Sequence, residues 1–260
     1  MDRPIPGTLW FDGVAEWPRL LPVGDLGLLV EFGDAIDPAL NDAVVALDRA
    51  IADTGVPGVV EAVPTYRSLL IEFEPRVIPL GGLVERVREL LHGDAAATGS
   101  RATPTRAAAR RLLVPVAYGG ELGDDLAEAA GLLGIAPEAV VGAHLAAEYR
   151  VYMIGFMPGF AYLGGLPPEL HLPRRCTPRA RAPEGSIMIG GQQAAIAALP
   201  LQTGWYVIGR TPARGFDKER AEPFLFRAGD RIRFRPVGAD EFARLSAHAA
   251  EGTPVIDMAE

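Results

Sequence analysis

"YRVYMIGFMPGFAYLGGLPPELHLPRR", residues 149–175, is where the chain changes character. Upstream of it the apolar residues recur at helical spacing. From Tyr149 onward they come in short runs broken by glycine and proline. Proline and glycine set the backbone but bury little, whereas the rings of Phe156, Phe160 and Tyr162 gain most from burial. The same pattern returns in "GSIMIGG" (185–191), "AAIAAL" (194–199), "GWYVIGRT" (204–211) and "DRIRFRPV" (230–237). Many short strands with close turns indicate a β-barrel or a β-sandwich. Pro158-Gly159 reads as a turn, and Gly164-Gly165 as a place of close backbone approach or positive φ. Residues 155–175 therefore read as a connection that leads from a strand to an arginine-bearing loop. Its aromatics either line a pocket floor beside those arginines or plug one end of the barrel.

Immediately before this region, "RLLVPVAYGG" (111–120) is an apolar strand, followed by helical stretches at 124–134 and, opened by Pro137, at 137–148. "ADEFARLSAHAAE" (239–251) reads as a terminal helix packed on the outside. Residues 19–93 form a different unit. "LGLLVEFGD" (26–34) is a strand, and Asp37-Pro38 is an N-cap followed by proline at the first helical position. Leu40, Val44, Leu47 and Ile51 share a helical face, with Gly55 as the C-cap. Two strands, "GVVEAV" and "RSLLIEFEP", and a helix carrying Leu80, Leu83, Val87 and Leu91 follow. That order predicts helices layered on an antiparallel sheet. Residues 94–110, without hydrophobic period, read as a mobile linker. The expected organisation is an N-terminal extension (1–18), an α+β domain (19–93), the linker (94–110), a mainly-β domain (111–238) and a C-terminal helix and tail (239–260).

The 260 residues are 49% hydrophobic and 22% charged, which is the composition of a globular protein. A formal net charge of −8 works against nucleic acid and anionic membranes as partners. The single cysteine, Cys176, excludes an internal disulfide and any multi-cysteine metal site. With no signal peptide and no apolar run of membrane-spanning length, the expectation is a soluble, cytoplasmic chain. Of the 25 basic residues only Lys218 is a lysine, so arginine is the available anion binder.

The familiar phosphate, dinucleotide, zinc and serine-nucleophile signatures are absent. His144 and Glu148 are four apart; if the helix persists through both they share a face and could relay protons or, with further ligands, hold a metal, or else form an ordinary pair at a helix end. Arg174, Arg175, Arg179 and Arg181 occupy a proline-stiffened loop, 170–183, that holds no acidic residue. They either bind a carboxylate or phosphate or pair with distant carboxylates. Ser186 reads as a turn hydroxyl more readily than as a nucleophile, and Cys176 would need a histidine partner to be catalytic.

"VPVAYGGELGDDL", "HLAAEYRVYMIGFMPGFAYLGGLP", "LPRRCTPRARAPEGSIMIGGQ" and "GWYVIGRTP" together resemble, in order and spacing, the KipI / allophanate-hydrolase-subunit-1 family, which includes B subunits of the ATP-dependent 5-oxoprolinase. "PVGDLGLLVEFGD" and "GVVEAVPTYRSLLIEFEP" match its first domain, so the resemblance covers roughly residues 20–237. It implies an α+β N-terminal domain followed by a cyclophilin-like β-barrel. It also implies a KipA-like partner, a LamB/YcsF-like third subunit, and ATP used by the complex to open a lactam, with no metal or biotin evident in this chain. A regulatory role, as an inhibitor of a histidine kinase, is the alternative; proline isomerisation rests on the barrel alone. The candidate site residues are His144 and Glu148 for catalysis, and Arg174, Arg179, Phe160, Tyr162, Ser186, Gln193, Trp205 and Arg210 for a small carboxylate or lactam. One departure stands out: "AALPLQTGW" has Ala197-Ala198 where relatives carry Tyr-Pro, and Gln202-Thr203 in place of Pro-Gly. Loss of a ring and a rigid turn predicts a wider, softer site edge.

Overall fold

A computed structural model describes residues 17–92 and 109–258. The N-terminal extension, nearly all of the linker and the last two residues lie outside the described residues. The chain divides into two compact units, Met1–Ala107 and Ala108–Glu260.

The first unit is a four-stranded antiparallel sheet, β1 (Arg19–Val23), β2 (Gly27–Glu31), β3 (Val59–Pro64) and β4 (Ser68–Phe73), in the order β1-β2-β4-β3. Two helices, α1 (Pro38–Thr54) and α2 (Leu80–His92), pack against it. Asp37 caps α1 by accepting a hydrogen bond from the Ala39 N–H at 2.7 Å, and Gly55 ends the helix in the left-handed region at φ 57°. Val44, Leu47 and Ile51 of α1 and Leu83 and Val87 of α2 meet Leu28, Val30, Leu69 and Ile71 in one core. Sequence reading does not resolve β1, because Pro22 interrupts its run; as an edge strand it tolerates that proline. Asn41, fully buried, is the polar exception: its amide donates to the Thr65 carbonyl at 2.9 Å.

The second unit is a closed barrel. Its strands are β5 (Arg111–Tyr118), β6 (Tyr149–Ile154), β7 (Ala161–Gly164), β9 (Ser186–Gly190), β10 (Gln193–Ile196), β12 (Tyr206–Arg210) and β13 (Arg231–Pro236). They run β12-β9-β10-β7-β6-β13-β5, and β5 pairs back to β12 to close the ring. A short hairpin, β8 (Arg179–Ala182) with β11 (Leu201–Thr203), stands outside it. Helices α3 (Leu126–Leu133), α4 (Pro137–Ala146) and α5 (Ala239–Ala250) and the two-residue β14 (Asp257–Met258) complete the unit, with β14 pairing to β5.

Alternation along the strands builds two cores. Val114, Val151, Leu163, Ile187, Ile196, Ile208 and Phe234 fill the barrel, together with Leu126 and Val140 from α3 and α4. On the opposite face of β9, β10 and β12, Met188, Ala195 and Val207 pack with Phe160, Ala182, Leu201 and Trp205 beneath the hairpin. Burial on both faces explains why these strands read as unbroken apolar runs.

Three expectations need correction. Residues 155–175 are not simply a connection: Ala161–Gly164 is a full barrel strand, paired to both β6 and β10. Its small residues hide it, since Gly164 exists to admit the Tyr152 ring, which lies 2.1 Å from where a Cβ would stand. The second helix stops at Ala146, with Ala147 extended at φ −81°, ψ 150°, so Glu148 is not on it. Ala197 and Ala198 are fully buried, and Ala198 presses on Gly159 and Gly215. The pair that stands in place of Tyr-Pro therefore lies in the packed interior and not at an exposed edge.

Candidate functional site

The turn after β6 presents an aromatic ledge. The Met157 N–H donates to the Gly155 carbonyl at 2.7 Å, a one-residue γ-turn centred on Phe156, which has φ 65°. Phe156 is the only described non-glycine residue in the left-handed region, and the residue is 71% exposed. A non-glycine residue there costs on the order of 1–2 kcal/mol. Gly159, at φ 75°, lets the turn close on Ala198, Gly215 and Phe216; a Cβ would stand 2.8–2.9 Å from each of them.

From Phe156 the rings step inward. Phe160, buried, meets Phe156 edge-on at 5.7 Å and Tyr162 at 4.7 Å. Tyr162 meets Trp205 at 6.3 Å, and the Arg174 guanidinium lies 5.2 Å from the centre of the Trp205 ring. Gly190 makes room for that indole, since a Cβ would sit 3.1 Å from its Cγ. Gln193 stands opposite Gly190 across the β9–β10 pair. Burial raises the Tyr162 hydroxyl above its usual 10, and the nearby Arg174 charge opposes this. Four of the sequence-proposed residues, Phe160, Tyr162, Trp205 and Arg174, thus stand in one run of contacts, with Phe160 and Trp205 buried, Tyr162 half-buried and Arg174 exposed.

The arginine loop divides in two. Arg175 pairs with Asp125 (3.3 Å) and Glu128 (2.6 Å), and Arg179 with Asp124 (2.8 Å) and Asp125 (3.1 Å). These two fasten the loop and hairpin to α3. Arg174 and Arg181 are exposed and have no carboxylate partner among the described residues. The cationic run is therefore half structural clasp and half free charge. Asp125 is the residue that sequence reading misses. Its carboxylate also accepts from the buried Val207 N–H at 2.9 Å, while its own N–H donates to the Val207 carbonyl at 3.0 Å. The signal was present: an acidic pair, Asp124-Asp125, opens a helix in a chain whose arginine loop lacks acids of its own.

The remaining candidates lie elsewhere. His144 is fully buried, its ring stacked on Phe234 at 4.7 Å, its Nδ1 2.8 Å from the Tyr118 hydroxyl, and its Nε2 without a partner. Desolvation lowers its pKa from 6.5 to about 3 and raises that of Tyr118. Glu148 instead faces Arg231 (4.0 Å) and Arg233 (3.5 Å), so the two candidates form no relay. Ser186 is fully buried and its hydroxyl donates to the Pro183 carbonyl at 2.7 Å, as a turn hydroxyl does. Arg210, opposite Ser186 in the β9–β12 pair, donates to the Glu184 carbonyl at 3.1 Å and lies beside Phe242. Neither belongs to the ledge. Cys176 is exposed and free.

Comparison with known proteins gives this geometry a context. Residues 18–226 match the family model described as "Carboxyltransferase domain, subdomain C and D". Two curated relatives are each named as the B subunit of 5-oxoprolinase. That of Escherichia coli O157:H7 is 35% identical over 219 residues, 84% of this chain and 95% of the relative. That of Bacillus subtilis (strain 168) is 32% identical over 225 residues, 85% of this chain and 93% of the relative. Among solved structures, TTHA0988 is similar with a TM-score of 0.72 and 34% identity over 82% of this chain, which spans only 40% of that longer protein. The chain belongs to the family of the carboxyltransferase domain, subdomains C and D.

Proposed function

We propose that this chain is the B-type subunit of a 5-oxoprolinase-type complex, and that its aromatic ledge holds a small lactam carboxylate against a KipA-like partner. The observation that carries the reading is the likeness to relatives named as 5-oxoprolinase B subunits along nearly their whole length. The ledge has the matching chemistry. Arg174 offers an uncompensated guanidinium to a carboxylate, and the half-buried Tyr162 ring and the exposed Phe156 ring offer apolar surface to a small ring, backed by the buried Phe160 and Trp205. The strained, exposed Phe156 reaches furthest into solvent and supplies the contact to the partner. Arg179 is withdrawn from ligand binding by its carboxylates, and His144 by its burial.

Among the described residues, the helix starts of the barrel unit do not favour a phosphate. All three helices of the barrel unit carry an acidic residue in the first turn, Glu128, Glu138 and Asp240, where a phosphate-binding helix presents bare N–H groups. The reading assigns ATP to the assembled complex, with a LamB/YcsF-like subunit as third member. The test is reconstitution: the chain is purified with its KipA-like and LamB/YcsF-like neighbours, and ADP release is followed with and without 5-oxoproline. Release that depends on both the lactam and this chain is expected; release that is indifferent to either overturns the reading. The kinase-inhibitor alternative draws on the exposed Phe156 ring, and it would instead give tight kinase binding with no lactam turnover.

A further inference from the structure

A cavity of about 270 Å³ lies in the barrel unit between the loop 213–225, the start of β5 and the chain that follows α5. None of Phe156, Phe160, Tyr162, Arg174 or Trp205 lines it. Much of its wall is apolar, with Leu112, Leu225, Val255 and Ile256 among the lining residues. Its charged residues are nearly all satisfied. Arg110 is held by Asp230, Arg214 by Asp217 at 3.2 Å and Glu184 at 3.5 Å, and Glu222 by Arg227.

Arg220 is the exception. Its Nη2 donates to the Arg214 and Pro223 carbonyls, both at 3.0 Å, which fixes the side chain without neutralising it. Its Nε is buried with no partner, and no carboxylate among the described residues pairs with it. A guanidinium that is pinned and has no carboxylate partner among the described residues, in a chamber whose other charged groups are already paired and much of whose wall is apolar, is matched by an anion with an apolar body. We infer that this cavity binds a small aliphatic monocarboxylate, seated with its carboxylate on Arg220. A phosphate suits it less, because its second charge would find no second free cation in the wall.

Isothermal titration of the full chain with hexanoate, 1-hexanol and inorganic phosphate tests this. Hexanoate is expected to bind at least about tenfold more tightly than hexanol, the worth of one charge-assisted contact, with no measurable phosphate heat. Arg220→Met should abolish hexanoate binding, while Arg174→Ala should leave it intact. Absence of hexanoate binding, hexanol binding as tightly as hexanoate, or undiminished binding by Arg220→Met each overturns the assignment. If circular dichroism shows Arg220→Met to be unfolded, the hexanoate–hexanol comparison on the wild-type chain decides alone.

Discussion

At the scale of single residues, His144 shows how burial sets chemistry. Enclosed by Tyr118, Tyr149 and Phe234, it stays neutral in the folded chain down to about pH 3, whereas in the unfolded chain it takes up a proton near 6.5. The unfolded state thus binds more protons at mildly acidic pH. Stability from this group is fully present above about 6.5 and is lost as pH falls toward 3. Between pH 7 and pH 5 the loss should be about 2 kcal/mol, following the limit of about 1.4 kcal/mol per pH unit for one proton. Urea denaturation at both pH values should show it, and His144→Leu should flatten the difference. Equal slopes in variant and wild type would remove His144 from the acid response. The i, i+4 spacing with Glu148 gave a reasonable expectation of a relay; the helix end at Ala146, which no proline or glycine marks, undid it.

Among elements, the governing contact is the Asp125 clasp. One carboxylate at the start of α3 holds a buried backbone N–H of β12 and two guanidinium groups that fasten the hairpin loop. Because Asp125 is only 5% exposed, its removal leaves a buried donor unmet and takes one of two carboxylates from each arginine, Arg175 keeping Glu128 and Arg179 keeping Asp124. Asp125→Ala should cost about 3 kcal/mol of stability in the barrel unit, measured by chemical denaturation. A change below about 0.5 kcal/mol would show the clasp to be ornamental. Elements with strong local signals were legible beforehand. The capped α1, the strand β5 and the short β-runs after residue 185 stand where their patterns place them. β7 was not, because Ala161 and Gly164 owe their place to a neighbour's ring and to two flanking strands, and such contacts leave no periodicity behind. Likewise the arginine loop revealed its charge but not its division, which depends on acids about fifty residues away.

For the whole molecule, a chain of net charge −8 exposes Arg174 beside the ring of Trp205 and Arg181 on β8, neither with a carboxylate partner among the described residues. The barrel's two-faced strands hold the row of aromatic rings in place, with the interior core on one side and the hairpin core on the other. The family was legible because its motifs are the turns and small residues that this architecture demands. Of the candidate site residues, Phe160, Tyr162, Trp205 and Arg174 lie together, while His144, Glu148, Arg179, Ser186 and Arg210 are engaged in contacts elsewhere in the barrel unit. The most direct test is lactam-dependent ADP release by the reconstituted complex carrying Arg174→Ala. With the complex still assembled by gel filtration, activity should fall at least about a hundredfold, as expected for loss of a charge-assisted carboxylate contact. Activity equal to wild type in an intact complex would contradict a substrate role for the ledge.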